Sequence, residues 1–360
     1  MSQPLRGALV IERVSPQCPP ALRLALAFAG RMVADLGAQV VVVHAAGGAQ
    51  PDAGTTAQAT PAPQTFLDLG KQVLGLPGGL AGPALHALQR HALATLEDQP
   101  SAPPAAGTAQ VPLRVFLSMF GPGVPASMPA TEFTVMALGG LLDIVGEADQ
   151  APLKLAGHQL AYSAGLAAFS GLMAVLATAR HAPVRETVHV NLLDTAVWLN
   201  WKSLVAAARS GTAPTRSGNR SEWRVMPCAD GWVAMVYRDA DWGRLKGLFN
   251  DARLQAECFA TPAGRREHAA ALDQILQDAM RHMSRQEIHL AALANRLPLG
   301  LVYSPDELVH DRQNLARRFL RPVSIGAQHS LLIPRLPVLW NGHAVEPAAA
   351  APAHEMALVQ

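Results

Sequence analysis

Few residues in this sequence could carry chemistry. His158 and Gln159 follow Gly157, just ahead of a long run of small apolar residues, and Glu132 opens an earlier apolar stretch. An imidazole titrates near neutral pH, so His158 could act as a base or as a transient acyl acceptor. Equally, His158 and Gln159 could cap the helix that follows, and Glu132 in a first helical turn would complement the helix dipole. Phosphates are held by cations or by free backbone amides. Lys71 is the nearest candidate cation, with Arg90 more distant; Gly47 and Gly48 could supply amides or belong to a linker. Trp223, Trp232, Trp242 and Trp340 could line a pocket, but scattered spacing suits core or interface anchors as well. Asp35 and Asp230 adjoin glycine turns and read as structural.

The scaffold for these groups is bounded by composition. The chain has 360 residues, 50% hydrophobic and 16% charged, a length for two domains or for one large domain with an insertion. Cys18, Cys228 and Cys258 lie far apart, which excludes a disulfide scaffold and a cysteine zinc site and suits a reducing compartment. A net charge of +2, from 29 basic and 27 acidic side chains, gives no field to grip nucleic acid. No 18 consecutive residues are apolar throughout, and residues 1–11 do not read as a signal sequence. The expectation is a cytoplasmic globular protein with no membrane and no nucleic-acid partner. No metal site is expected either.

Hydrophobic periodicity predicts a strand at 8–12, a helix at 21–36 closed by Gly37, and a doubly buried strand at 40–43. That is a βαβ unit with a parallel sheet, hence an α/β fold. Residues 45–64 and 99–110 read as Ala/Pro-rich loops, 80–96 and 132–142 as helices, and 113–118 and 188–192 as strands. The stretch 162–180 is a helix whose small residues let other backbones approach, which places it centrally, and 194–210 is another helix. The character changes near Gly211: a strand at 232–237, then a charged helical stretch from 239 to 294, then extended structure at 301–303 and 331–339.

Six blocks in order resemble the family III CoA-transferases, the CaiB/BaiF superfamily that includes formyl-CoA transferase and alpha-methylacyl-CoA racemase. They are GALVIE at 7–12 with MVADLGAQV at 32–40; LDLGK at 67–71; RVFLSMFGPG at 114–123; residues 132–146 with 165–180; GNR at 218–220 with PCADGWV at 227–233; and residues 291–323. The resemblance implies a Rossmann-like large domain with a parallel sheet, built from 1–212 and 319–360, and a smaller inserted α+β domain at 213–318. It also implies an interlocked homodimer, coenzyme A as a substrate, and transfer of CoA between an acyl-CoA and a small carboxylic acid. His44, Gly47, Gly48 and Lys71 then become the candidate CoA contacts. The family's nucleophilic aspartate, which forms an acyl anhydride and then a CoA thioester, falls on Leu160 or Ala161. The chain is thus a divergent member without that aspartate, and the methyl of Ala161 is expected to face a cleft. His158, Gln159 and Glu132 are the candidate catalytic residues, Glu132 lying near the racemases' aspartate. Two alternatives stay open: a catalytically degenerate CoA-binding homologue or partner subunit, and an acyl-CoA racemase or isomerase.

Overall fold

A computed structural model describes residues 3–45, 62–76, 80, 82–99, 113–125, 128–147, 149–178, 186–212, 216, 223–325 and 329–345. The chain divides into two compact units, Met1–Ala213 with Ala316–Gln360, and Pro214–Leu315.

The large unit is built on strands β1 (Leu9–Arg13), β2 (Gln39–Ala45), β3 (Lys71–Leu76), β4 (Ala94–Glu97), β5 (Leu113–Ser118) and β6 (Glu186–Asn191). They form one sheet in the order β3-β2-β1-β4-β5-β6, and every pairing is parallel. This is the doubly wound α/β arrangement, with the strand order reversing between β1 and β4. The helices are α1 (Pro20–Asp35), α2 (Ala62–Asp68), α3 (Pro83–Gln89), α4 (Glu132–Leu138), α5 (Gln159–Thr178), α6 (Leu192–Leu199) and α7 (Trp201–Ser210). The α/β class, the first βαβ unit and the strand at 113–118 stand as expected.

The largest core joins α1, α5 and one face of the sheet through Leu22, Ala25, Leu26, Val33, Val115, Leu117, Leu160, Ala164, Ala168 and Leu172. Small residues set that packing. A Cβ on Gly165 would lie 2.5 Å from the carbonyl oxygen of Ala25, so α5 crosses α1 at a distance only glycine allows. α5 is also the one helix among the described residues long and apolar enough, by length and composition, to cross a membrane. Here its small-residue face is spent on α1 and the sheet.

Two expected helices differ from the structure. Residues 80–96 do not form a single helix: α3 ends at Gln89, and 94–97 is a fully buried central strand. Ala and Leu are good helix formers, but intrinsic propensity is a weak preference, and pairing of this segment with β1 on one side and β5 on the other overrides it. The helix expected over 194–210 breaks at Asn200, where α6 gives way to α7.

The second unit carries an antiparallel sheet of β7 (Trp223–Cys228), β8 (Gly231–Val236) and β9 (Gly300–Leu301). Against it pack α8 (Trp242–Phe249), α9 (Pro262–Glu267), α10 (Ala269–Met280) and α11 (Arg285–Ala294), followed by α12 (Pro305–Leu308) and α13 (Arg312–Ala316). Trp242 belongs to this core, whereas Trp223, Trp232 and Trp340 are exposed. The final segment forms the hairpins β10 (Leu320–Ile325) with β11 (His329–Pro334) and β12 (Leu339–Trp340) with β13 (His343–Ala344). Leu336 and Val345 pack on the large unit's core.

Candidate active site

The carboxylate of Glu132 gathers a small constellation at the start of α5. Glu132 is the first residue of α4, whose N-terminus is closed by a reciprocal box between Thr131 and Thr134. That cap fixes where the Glu132 side chain leaves the backbone. The side chain is 6% exposed, and both oxygens are engaged. Oε1 accepts the backbone N–H of Ala161 at 3.2 Å, and Oε2 lies 2.7 Å from Nδ1 of His158. The Lys154 ammonium stands 3.7 Å from the same Oε2 and donates to the carbonyl of Gly157 at 2.8 Å. Gly157 has φ +74, a left-handed turn that a glycine takes without strain. Lys154 therefore braces the turn that presents His158.

A carboxylate can only accept, so Nδ1 of His158 carries its proton toward Glu132 and the ring's second lone pair sits on Nε2. The His158 side chain is 51% exposed, and Nε2 has no protein partner among the described residues. The arrangement is a carboxylate–imidazole pair with a free nitrogen facing outward. It can take or give a proton, or attack an electrophilic carbon.

The other sequence candidates are not brought to this pair. Gln159 donates to the carbonyl of Ala156 at 3.4 Å and closes the same turn. The methyl of Ala161 is fully enclosed in the α1–α5 core, not turned toward a cleft as expected, because Leu160 and Ala161 both lie on the face of α5 that packs inward. Lys71 does not present its ammonium to solvent either. It is buried, 2.7 Å from Oε2 of Glu12 and 2.8 Å from the carbonyl of Ala27. Gly30 leaves the space for that ion pair, since a methyl there would collide with the Glu12 carboxylate. His44 lies near the end of β2 with its ring against Gly75 of β3. Gly47 and Gly48 lie outside the described residues.

Three groups escape the sequence reading. Lys154 is one; it is the only Lys or Arg between residues 115 and 179, and that isolation was its one signal. The second group fills the carboxyl ends of β1 and β4, where the strand order reverses. The buried Glu97 takes Arg13 at 3.1 Å and also pairs with Arg114, while Asp98 accepts the backbone N–H of Ser15 at 2.8 Å. The third is Ser118 with His189, 2.8 Å apart on neighbouring strands, the imidazole resting on the Phe116 ring. Burial pushes the His189 imidazole below its ordinary value, opposed by Asp194. The Ser118 hydroxyl spends its proton on the carbonyl of Phe120 at 2.6 Å, so this pair braces a turn and leaves no activated nucleophile.

Residues 114–356 match the model of CoA-transferase family III, two thirds of the chain and both hairpins included. The chain belongs to CoA-transferase family III. Among curated proteins, a succinate–glutarate CoA-transferase of Agrobacterium fabrum is 26% identical over 227 residues, 61% of this chain. The aligned part spans 56% of that relative's own length. Among solved structures, a CaiB/BaiF family protein from Brucella suis superposes with a TM-score of 0.80 at 19% identity, covering 98% of this chain and 96% of that one. The Mycobacterium tuberculosis protein Rv3272 gives 0.76 at 20% identity, covering 96% and 95%. Both structural likenesses establish the fold, and the resemblance carried by the six sequence blocks holds.

Proposed function

We propose that this family III member moves CoA from an acyl-CoA to a carboxylic acid, with the Glu132–His158 pair as its reactive centre. The observation that carries the reading is the exposed imidazole nitrogen held by a buried carboxylate and braced by Lys154. We infer that CoA lies along the large unit near the carboxyl ends of β1, β2 and β4, the crevice that doubly wound sheets use for ligands. His44 stands at that end of β2. Gly47 and Gly48 follow it in sequence, while the enclosed Lys71 supports the sheet instead of a phosphate.

A second copy of the chain is the proposed protein partner. Trp198 is 75% exposed, and Phe133, Leu138, Trp201, Leu204 and Val205 on α4, α6 and α7 are exposed with it. A soluble chain rarely leaves so much large apolar surface uncovered. Phe133 adjoins Glu132, so a copy seated there would shelter the reactive pair. Sedimentation across dilution tests this; a monomer at micromolar concentration rejects it.

The activity is tested by incubating the full chain with succinyl-CoA and glutarate, the acids named in the Agrobacterium relative, and resolving the thioesters by chromatography. Glutaryl-CoA and free succinate are expected in equal amounts. CoA binding without any exchange would favour a non-catalytic homologue, consistent with the methyl at Ala161. Epimerisation of a 2-methylacyl-CoA without exchange would favour proton transfer by the same pair.

A further inference from the structure

We infer that His158 itself carries the acyl group between donor and acceptor, as an N-acyl-imidazole on Nε2; this rests on the transfer reading above. Position 161 offers only an enclosed methyl. Glu132 is 6% exposed, with one oxygen on the Ala161 amide and the other on His158 and Lys154. A thioester carbon could reach that carboxylate only by displacing those donors. The Nε2 lone pair needs no such displacement, because nothing among the described residues occupies it and the ring is half exposed. The buried carboxylate on Nδ1 fixes the tautomer and steadies the positive charge that grows on the ring as Nε2 bonds to carbon. Lys154 acts through the Gly157 turn and is a positioning residue.

The steps balance without any further reagent. Nε2 attacks the thioester carbonyl; the C–N bond forms, the C–S bond breaks, and CoA leaves as the thiolate. The Nδ1 proton stays between the ring and Glu132. A carboxylate oxygen of the acceptor acid then attacks the acyl carbon, the C–N bond breaks, and a mixed anhydride and the free imidazole result. The CoA thiolate attacks the acceptor's carbonyl in that anhydride, its C–O bond breaks, and the donor acid departs as a carboxylate beside the new thioester.

The mechanism is tested with one turnover of the wild-type chain on succinyl-CoA and 18O-labelled glutarate. The label should appear at once in the released succinate, with none in the protein. A carrier at Glu132 would place the label first in the peptide containing Glu132, and that outcome overturns the inference while leaving the transfer reading intact. His158→Ala should lower exchange by ~100-fold or more, with partial return on adding free imidazole. A folded His158→Ala variant that exchanges within ~3-fold of wild type also overturns it, since a lost catalytic group costs at least ~100-fold. Should that variant fail to fold, the wild type still decides: together with an unlabelled protein, an acyl carrier at His158 requires exchange of labelled free CoA into succinyl-CoA in the absence of glutarate, and no such exchange overturns the inference. Absence of any thioester exchange by the wild type rejects the transfer reading and this inference together.

Discussion

Replacing Lys71 by methionine separates two roles for that residue. The ammonium lies 2.7 Å from Oε2 of Glu12 and 2.8 Å from the Ala27 carbonyl, and the two side chains are 0% and 4% exposed. Methionine keeps the length and the apolar stem but strands the Glu12 charge among Gly30, Ala27 and the sheet. Breaking one side of a buried pair costs about 3–5 kcal/mol, whereas replacing both partners with uncharged groups of similar volume is often near neutral. Lys71→Met and Glu12→Gln should each lose about 3–5 kcal/mol, and the double variant far less than their sum. Urea unfolding followed by far-UV circular dichroism, with hydrogen exchange at the β1–β3 amides to locate the loss, measures this. A cost under about 1 kcal/mol for Lys71→Met, the value of an exposed pair, would refute the buried Lys71–Glu12 pair. A large loss of CoA affinity at unchanged stability would restore Lys71 as a phosphate ligand.

Three further outcomes follow from the same packing and charge. Ala161→Asp places a carboxylate in enclosed apolar space and should cost several kcal/mol; a melting temperature equal to wild type would mean the methyl is not enclosed. Gly165→Ala should cost about 1–3 kcal/mol through its contact with the Ala25 carbonyl, read from chemical denaturation, and no loss would disprove the tight α1–α5 crossing. Glu307 is held by Arg285 and by the Ser304 backbone N–H, which lower its carboxyl from 4.5 to about 2. A lowered value means that its stabilisation is complete above the ordinary carboxylate range and is lost as pH falls from about 4.5 toward 2. Glu307→Gln should remove that part of the acid sensitivity of the smaller unit; an unchanged pH profile counts against the pair.

Much of the scaffold was legible because its signals were local. Val40 to Val43 form an uninterrupted β-branched run, Gly37 ends α1 with φ +94, and the small residues of α5 announce close packing. The strand β4 was hidden, since Ala94, Thr95, Leu96 and Glu97 carry helical or neutral preferences and become a strand only between two partners. The candidate site was half legible. Glu132 and His158 stood out as residue types, but 26 positions of separation concealed their contact, and the cap at Thr131 that aims Glu132 has no pattern linking it to His158. Lys71 was misplaced for a related reason. A lysine at a strand start looks available to a ligand until Glu12, 59 positions earlier, is seen to claim it.

The large unit takes its core from both sides of the insertion, and that has a consequence for the order of events on the ribosome. Strands β1 to β6 emerge first, yet Leu336 and Val345, which pack on their core, are made only after about a hundred residues of the second unit. Pro214–Leu315 has its own buried cluster and can condense while it waits. The N-terminal part, by contrast, spends that interval with the core sites of Leu336 and Val345 still uncovered. Nascent chains should therefore lean on chaperones most heavily between synthesis of α7 and release of the last hairpin.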